Sequence, residues 1–278
     1  MACPVERRIQ PLLSVFNLYR ARPGLSYRSV CRLPDPSPGG RPPIPGCAPE
    51  LGDLDMTHAV LTPASVREGV RWLAALDDDL AGVFRRTGFP PVWGRPAGFG
   101  TLVRIILEQQ VSLSAARTMY GRLASHTGRV TPGAIERLGQ EGLRSLGFTR
   151  QKARYCHGLA ELVRSGALDL RAIAAAPDEA GRQMLLAVPG LGPWTVDIYY
   201  LMALRRPDVW PRGDLALALA LRDVKRLPAV PSSAEQERIA GAWAPWRAVA
   251  ARLLWKHYLS TPSKFRSPPA PARGSPAP

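Results

Sequence analysis

The chain has 278 residues, enough for one large or two small domains, and its 37 Lys and Arg against 22 Asp and Glu leave a net charge of +15. Residues 1–55 carry +2 and residues 260–278 carry +3, so the middle of the chain keeps +10. A basic folded part favours a polyanionic partner, and nucleic acid ahead of a membrane surface. No apolar run is long enough to span a membrane and no signal peptide is recognisable, so we expect a cytoplasmic protein.

The cysteines are scattered along the chain. They are Cys3, Cys31, Cys47 and Cys156, and they form neither a CxxC pair nor a closely spaced quartet. Structural zinc sites and iron–sulfur clusters use clustered cysteines, so the sequence predicts neither. The four histidines show no ligand-like spacing either.

The two ends of the chain differ in composition from the middle. Seven prolines and three glycines lie between Leu33 and Pro49, which is incompatible with a packed element. We predict that residues 1–55 are disordered, or that translation begins at Met56 and not at Met1. Residues 261–278 are rich in Pro, Ser and Ala, and we predict a disordered tail there.

Between these ends, apolar residues recur at three- and four-residue spacing, and strand-like alternation is nearly absent. The predicted fold class is therefore all-α, in a domain over residues 57–260. The helices are expected over residues 64–76, 80–86, 99–110, 114–125, 140–146, 149–164, 169–175, 193–204, 215–221, 234–243 and 246–258, with two more beginning at 131 and 177.

Two of the predicted helices are joined by a tight hairpin, Val188-Pro189-Gly190-Leu191-Gly192. Its two glycines tolerate positive φ and allow another backbone to come close. Pro193 suits the first turn of the following helix, where its missing N–H costs nothing. Backbone N–H groups that remain free at this helix start can bind a phosphate.

An aspartate, Asp214, follows the hairpin by about twenty residues, directly after Pro211-Arg212-Gly213. It begins another apolar helix, so it is predicted as a helix N-cap, as a catalytic acid, or as both. The hairpin, the spaced Gly213-Asp214 and the segment Leu107–Ser112 together resemble the helix-hairpin-helix–GPD superfamily of DNA base-excision glycosylases. Within it, the chain is most similar to the alkylation-repair branch, the 3-methyladenine DNA glycosylase II type.

The resemblance covers roughly residues 61–259 and implies an architecture. Two helical subdomains should flank a cleft that contains the aspartate, with the hairpin on one lip. Residues 111–210 should form a bundle that is inserted between the two segments of the second subdomain.

The resemblance also implies roles for single residues. Asp214 would be the catalytic carboxylate, which stabilises positive charge on the deoxyribose or orients the attacking water. Trp194 stands where lyase-type members carry a nucleophilic lysine, so base removal without strand cleavage is expected. Gln110 stands at the position of the wedge that fills the gap left by a flipped nucleotide, and Gln109 would face the site or the opposite strand. A polar pair that merely ends a helix is the alternative for these glutamines.

Alkylated purines such as 3-methyladenine and 7-methylguanine carry positive charge, which an electron-rich aromatic pocket recognises by stacking and cation–π attraction. The predicted base pocket consists of Trp194, Trp210, Trp246 and Trp255. Each of these side chains could equally belong to the core. Ile198 stands where the similar branch has an aromatic residue, so we expect the pocket to offer less stacking surface than in that branch.

The predicted DNA contacts centre on the hairpin. Val188, Gly190, Gly192 and Thr195 would hold DNA phosphate through backbone N–H groups. The resemblance implies a monovalent cation, Na⁺ or K⁺, at the Val188 and Gly190 backbone, and no other cofactor. Three basic side chains could add phosphate contacts or simply form a solvated helix face: Arg150, Lys152 and Arg154.

The predicted function is thus a monofunctional DNA glycosylase that removes alkylated purines from damaged double-stranded DNA. We expect it to act as a monomer and to associate with the nucleoid, with little sequence preference and strong salt dependence. Two alternatives remain open at this point. One is a glycosylase for a neutral lesion such as uracil or hypoxanthine, and the other is a non-catalytic helix-hairpin-helix DNA-binding protein.

Overall fold

The computed structural model describes residues 59–261 of the chain. The predictions for residues 1–55, for the alternative start at Met56 and for the tail beyond residue 261 lie outside this range. Within it the fold is all-α, as predicted, with twelve α-helices, one π-helical turn and no strand. None of the helices in this range is both long and apolar enough to cross a membrane.

The helices follow one another closely along the chain. They are α1 (Pro63–Leu76), α2 (Asp78–Thr87), α3 (Phe99–Glu108), α4 (Leu113–Thr127), α5 (Pro132–Ser145), α6 (Arg150–Arg164), α7 (Leu170–Ala175), α8 (Asp178–Leu186), α9 (Pro193–Tyr199), α10 (Leu215–Val224), α11 (Ser233–Gly241) and α12 (Arg247–Ser260). The π-helical turn Tyr200–Leu204 directly continues α9.

Most of these bounds agree with the apolar spacing of the sequence, and two differ for identifiable reasons. The separate helices expected from residues 131 and 140 form the single kinked helix α5, in which Gly139 leaves helical geometry with a φ of 63°. The helix expected over 193–204 changes to π geometry after Tyr199, and Arg205 ends it in the left-handed region. Apolar periodicity distinguishes poorly between α and π turns, because a buried segment is apolar in either geometry.

The helices pack in two groups. Helices α1, α2, α10, α11 and α12 pack on one another, whereas α3 to α9 form a second, connected bundle. The chain therefore starts and ends in one subdomain and passes through the other between them. The bundle expected over residues 111–210 begins with α4, but α3 also packs on α4, α6 and α9, and so belongs with it.

A buried arginine of α12 links the two groups. Arg252 is 0 % exposed. Its guanidinium donates to the carbonyl oxygens of Val92, Ala248 and Leu201 at 2.8, 2.9 and 2.7 Å. Because Leu201 lies in the π-helical turn, this side chain fastens the end of the bundle to the C-terminal helix. Hydrogen bonds from a charged donor are among the stronger ones in proteins.

Candidate active site and nucleic-acid interface

Asp214 is placed by the start of α10 and by two tryptophans. Its Oδ1 accepts from the backbone N–H of Leu217 at 2.9 Å, so the residue is the N-cap of α10. The indole Nε1 of Trp194 donates to Oδ2 at 3.0 Å, and the indole Nε1 of Trp255 donates to Oδ1 at 3.3 Å. Gly213 turns the chain into this cap with a φ of 73°. The carboxylate is thereby fixed from three directions.

The same carboxylate is almost completely buried, with 1 % of the residue exposed. Burial raises the pKa of Asp214 above its ordinary value, because removal from water disfavours the charged form. The hydrogen bonds from Trp194, Leu217 and Trp255 act in the opposite direction and lower the pKa. A shielded carboxylate of this kind can stabilise a positive charge strongly, because little water screens it.

Only the first of the two glycines in the hairpin between α8 and α9 adopts positive φ. Gly190 has a φ of 92°, and a Cβ at this position would overlap the ring of Tyr155 on α6. Gly192 has ordinary φ and serves as the N-cap of α9 without a side-chain hydrogen bond. Pro193 occupies the first turn, as expected. Tyr155 was not among the predicted site residues, since nothing in the sequence of α6 distinguishes it from other half-buried aromatics.

Gln109 connects the end of α3 to this hairpin. Its side-chain Nε2 donates to the carbonyl oxygen of Gly190 and to Oγ1 of Thr195, both at 2.9 Å. Thr195 itself is buried, with 2 % exposed, and a contact from it to DNA stays a prediction that this burial does not favour. Val188 is also buried, with 5 % exposed. The hydrogen bonds of Gln109 thus stabilise the hairpin from the end of α3.

Gln110 follows directly and is exposed. Its φ of 53° places it in the left-handed region, which residues with a side chain rarely adopt. Such strain is commonly kept at functional positions. The next residues lead into the N-cap of α4, where Oγ of Ser112 accepts from the backbone N–H of Ala115 at 3.3 Å. Gln110 therefore lies at the apex of a short turn between two helices, and its role as a wedge stays a prediction.

An open cleft of about 1090 Å³ joins these features. Its walls come from the α3–α4 turn, from α6, from the whole hairpin and from the loop before Asp214. The lining residues that were predicted as site residues are Gln109, Gln110, Val188, Gly190, Gly192, Trp194 and Thr195. Gly213 lines the cleft next to Trp194, so the cleft ends beside the aspartate.

The four tryptophans of the predicted base pocket separate into two pairs. Trp194 is half-buried in the cleft wall, Trp255 is fully buried, and both donate to Asp214. Trp210 instead packs against Trp243, with ring centroids 5.7 Å apart. Trp246 packs so closely on Gly69 of α1 that a Cβ at that glycine would lie 2.7 Å from its ring.

The indole nitrogens of Trp210 and Trp246 are buried and have no hydrogen-bond partner among residues 59–261. These two side chains therefore take no part in the hydrogen bonds around Asp214, and their surroundings are those of core residues. Their place in a base pocket stays a prediction, which the packing does not favour.

The basic residues at the start of α6 have different surroundings. Arg150 and Arg154 are exposed, and the guanidinium of Arg154 lies 5.5 Å from the ring centre of Tyr155. Lys152 is buried, and its Nζ donates to the carbonyl oxygen of Leu107 at 2.6 Å. Burial lowers the pKa of Lys152 to about 8. A phosphate contact from Lys152 is therefore the wrong expectation, because this side chain caps the end of α3.

A buried acid that sequence reasoning missed lies behind the loop of Asp214. Asp197 of α9 is 0 % exposed and accepts hydrogen bonds from Arg182 and from the backbone and side chain of Arg212. The signal was available in the sequence, since Asp197 is the one charged residue in the apolar run 195–204. A lone acid in such a run calls for a buried partner.

Comparison with known proteins gives a consistent result. The family model described as "HhH-GPD superfamily base excision DNA repair protein" matches residues 103–245, which is about half of the chain. This range includes the hairpin and Asp214, the residues on which the resemblance was based.

Individual relatives point the same way. The chain is 31% identical over 159 residues to DNA-3-methyladenine glycosylase 1 of Schizosaccharomyces pombe, covering 56% of this chain and 70% of that protein. It is 27% identical over 177 residues to a DNA-3-methyladenine glycosylase of Bacillus subtilis, covering 59% of this chain and 58% of that protein. A further Bacillus subtilis relative is matched over 64% of its length, so the chain spans less than two thirds of some relatives.

The fold has solved counterparts as well. The structure of the Schizosaccharomyces pombe 3-methyladenine DNA glycosylase in complex with abasic DNA superposes with a TM-score of 0.64 at 27% sequence identity. The superposition covers 68% of this chain and 95% of the other.

Proposed function

Because the chain belongs to the HhH-GPD superfamily of base excision DNA repair proteins, we propose that it is a monofunctional DNA glycosylase for alkylated purines. It would hydrolyse the N-glycosidic bond in double-stranded DNA and leave an abasic site. The observation that carries this proposal is the buried carboxylate of Asp214, held by two indole N–H groups beside the cleft. The names of the relatives, which are 3-methyladenine glycosylases, support the lesion class.

The reaction requires one well-placed acid. As the base departs, positive charge builds on the deoxyribose, and an ionised carboxylate close to it lowers the barrier. Loss of one such electrostatic partner typically costs about 10²–10³ in rate. Because burial raises the pKa of Asp214, the active ionised form accumulates only above that raised pKa, and we expect activity to fall on acidification.

Positively charged lesions suit the aromatic surface at this position. Trp194 lines the cleft, and a cationic base over such a ring gains roughly 0.5–2 kcal/mol. An alkylated purine is also a good leaving group, since its departure neutralises its charge. Such a base therefore needs less help from a general acid than a neutral base does.

Strand cleavage by a lysine is not expected. Trp194 occupies the position of the lyase-type nucleophile, and an indole cannot form a Schiff base. The three lysines within residues 59–261 each bind another part of the fold: Lys152 the Leu107 carbonyl, Lys225 the carboxylates of Asp77 and Asp79, and Lys256 the Phe89 carbonyl.

DNA would bind across the cleft with the hairpin on a phosphate. The N-cap residue of α9, Gly192, has no side chain that could bond the N–H groups at the helix start, and the positive end of a helix favours an anion. Gln110, exposed at its turn, would fill the gap left by the flipped base. Arg150 and Arg154 would contact the backbone further along.

A monovalent cation is part of the proposal. The carbonyl oxygen of Val188 accepts from the Leu191 N–H at 3.1 Å, and that of Gly190 accepts from Gln109 at 2.9 Å. A carbonyl oxygen has two lone pairs and can accept a second partner beside the hydrogen bond it already has. Oxygen donors of this kind fit Na⁺ or K⁺, which would add positive charge between the hairpin and a DNA phosphate.

The proposal is tested by incubating the purified protein with methylated, uracil-containing and hypoxanthine-containing duplexes. Released bases are identified by chromatography, and abasic sites are scored as strand breaks before and after alkali. We expect methylated purines to be released and breaks to form only after alkali. Release of a neutral base alone would contradict the lesion class, and breaks before alkali would contradict the monofunctional mechanism. Binding to DNA without any base release would favour a non-catalytic binding protein.

A further inference from the structure

We propose that Asp197 is a positioning residue that couples the hairpin to the placement of Asp214. This inference rests on the proposed function, because it concerns the same carboxylate. Asp197 does not face the cleft, and it touches neither DNA nor base in the proposed arrangement. Its effect would be transmitted through Arg212, two residues before Asp214.

The first step is the contact between Asp197 and the loop. Oδ2 accepts from the backbone N–H of Arg212 and from its Nε, both at 3.0 Å, and Oδ1 accepts from its Nη2 at 3.3 Å. The carboxylate thus holds both the main chain and the side chain of one loop residue. A backbone N–H fixed in this way restrains the path of the chain into Gly213 and Asp214.

The second step is the contact between Asp197 and the other hairpin helix. Arg182 of α8 donates to Oδ1, and its guanidinium also lies 5.4 Å from the ring centre of Tyr200. Asp197 itself belongs to α9. Both helices of the hairpin and the loop of Asp214 therefore meet at one buried carboxylate.

The third step is geometric. Trp194 lies three residues before Asp197 on α9, and its Nε1 holds Oδ2 of Asp214 at 3.0 Å. Helix α9 thus contacts this part of the chain twice. Trp194 donates to the carboxylate of Asp214, and Asp197 accepts from Arg212 in the loop that leads to Asp214. The start of α9 is also the part of the hairpin proposed to bind phosphate. Two hydrogen-bonded contacts from one helix would hold Asp214 at a fixed distance from the turn that is proposed to bind phosphate.

The free-energy cost of burying the Asp197 carboxylate favours a specific role for this residue. An acid that is 0 % exposed costs free energy unless it is paired, and here two arginines balance its charge. An apolar residue would fill the same place without that cost. A charged cluster adds directional bonds to the loop, which apolar packing does not supply.

The test uses Asp197→Asn, which keeps an acceptor for the Arg212 N–H but removes the charge that holds the two guanidiniums. Single-turnover rates of base release from methylated duplex are compared with binding of a duplex containing a stable abasic-site analogue. We expect the rate to fall about 10-fold or more, since small misplacement of a reacting group can cost up to about 10²-fold. The dissociation constant should stay within about twofold.

Two further variants make the result decisive. Asp208→Asn is the control, because Asp208 lies in the same loop but pairs with Arg247 at 2.7 Å on the other side, and its rate should equal that of the wild type. Arg212→Ala leaves the main-chain bond in place and should show a loss of several-fold. It decides the question if Asp197→Asn does not fold.

The outcomes separate this inference from the proposed function. A wild-type protein that releases no base contradicts the proposed function. An active wild type with an equally active Asp197→Asn overturns only the positioning role, even if the variant melts at a lower temperature. Equal losses in rate and in binding would also overturn it, because they would mean that Asp197 supports the DNA-binding surface as a whole.

Discussion

Asp214 uses its two carboxylate oxygens for different purposes. Oδ1 caps α10 and accepts the longer bond from Trp255, while Oδ2 is held by Trp194 at the end of the cleft. The helix cap and the proposed catalytic role are therefore compatible, since the cap fixes the side chain that the reaction would use. Burial raises the pKa and the indole bonds lower it, so the tryptophans help to keep the acid ionised.

We predict that Trp194→Phe shifts the acidic limb of the pH–rate profile to higher pH. In the wild type, the hydrogen bond from the Trp194 N–H to Oδ2 lowers the pKa of Asp214. Phenylalanine keeps an aromatic ring but has no N–H to make this bond. Without that bond the pKa rises further, and the ionised form is lost at a higher pH. Single-turnover rates of base release between pH 5 and pH 8 measure the shift.

The matched control is Trp72→Phe in α1, where the indole Nε1 has no hydrogen-bond partner within the described part of the chain. Its profile should coincide with that of the wild type. An acidic limb of Trp194→Phe that stays in place or moves to lower pH would contradict the assignment of Asp214 as the titrating group.

Single residues also show how far a sequence can be interpreted. The N-cap position of Asp214 was one of the predicted alternatives, because Asp before an apolar helix is a local signal. The apolar run around Asp197 indicated a buried acid, but its partners Arg182 and Arg212 were not predictable, since they depend on which helices meet in space. The same holds for the indoles of Trp210 and Trp246, which have no hydrogen-bond partner within residues 59–261. A tryptophan in a core and a tryptophan in a pocket have the same local sequence signal.

At the scale of elements, the hairpin shows most clearly how sequence determines geometry. Gly190 has a positive φ and also makes room for Tyr155. Gly192 has ordinary φ, and within the described part of the chain nothing lies within 4 Å of a Cβ built on it. The sequence pattern treated the two glycines alike. Only the approach of α6 distinguishes them, and that approach is a tertiary contact.

We predict that Gly190→Ala weakens DNA binding by the protein at least 10-fold and lowers its stability. Positive φ costs an alanine about 1–2 kcal/mol, and the overlap of its Cβ with Tyr155 would displace the turn that is proposed to hold phosphate. Fluorescence anisotropy with an abasic-site duplex measures the binding, and thermal unfolding measures the stability.

Gly192→Ala is the comparison, because no atom of residues 59–261 would lie within 4 Å of its Cβ. Alanine is a poorer N-cap than glycine, so this variant should lose roughly 0.5–1 kcal/mol of stability, without the strain of a positive φ. Equal binding losses in both variants would show that the conformation of Gly190 has no special part in the interface.

The helices themselves were largely predictable from apolar spacing, and most bounds agree within a few residues. The departures follow from single positions: Gly139 kinks α5, and the π-helical turn after Tyr199 gives Arg252 of α12 a carbonyl acceptor at Leu201. Local spacing indicates that a helix exists. It does not indicate how the end of that helix is adapted to a neighbour.

At the scale of the whole molecule, the net positive charge is the property that bears most directly on DNA binding. The middle of the chain carries +10, and the exposed arginines at the start of α6 lie beside the cleft. Phosphate contacts made by such side chains release counterions, so each contact steepens the salt dependence of binding by about 0.9 in the log–log slope.

We predict that the double variant Arg150→Ser/Arg154→Ser reduces that slope, by about 0.9 for each phosphate contact that is lost. Binding to an abasic-site duplex is titrated between 50 and 200 mM salt, a range in which phosphate-binding proteins respond strongly. Arg85→Ser/Arg86→Ser removes the same charge from the exposed end of α2, in the other group of helices. If both double variants show the same salt dependence of DNA binding, Arg150 and Arg154 do not contact DNA phosphates at α6.

The rate of base release by Asp214→Asn tests the central claim most directly. We predict that this variant releases methylated purines at least about 10²-fold more slowly than the wild type in single-turnover reactions. The variant should stay folded at neutral pH: because the folded-state pKa is raised, the ionised carboxylate costs stability above that pKa, and a neutral amide removes this cost. Slow release by a folded variant that still binds abasic DNA is the predicted result. Release at a rate close to that of the wild type would contradict the account.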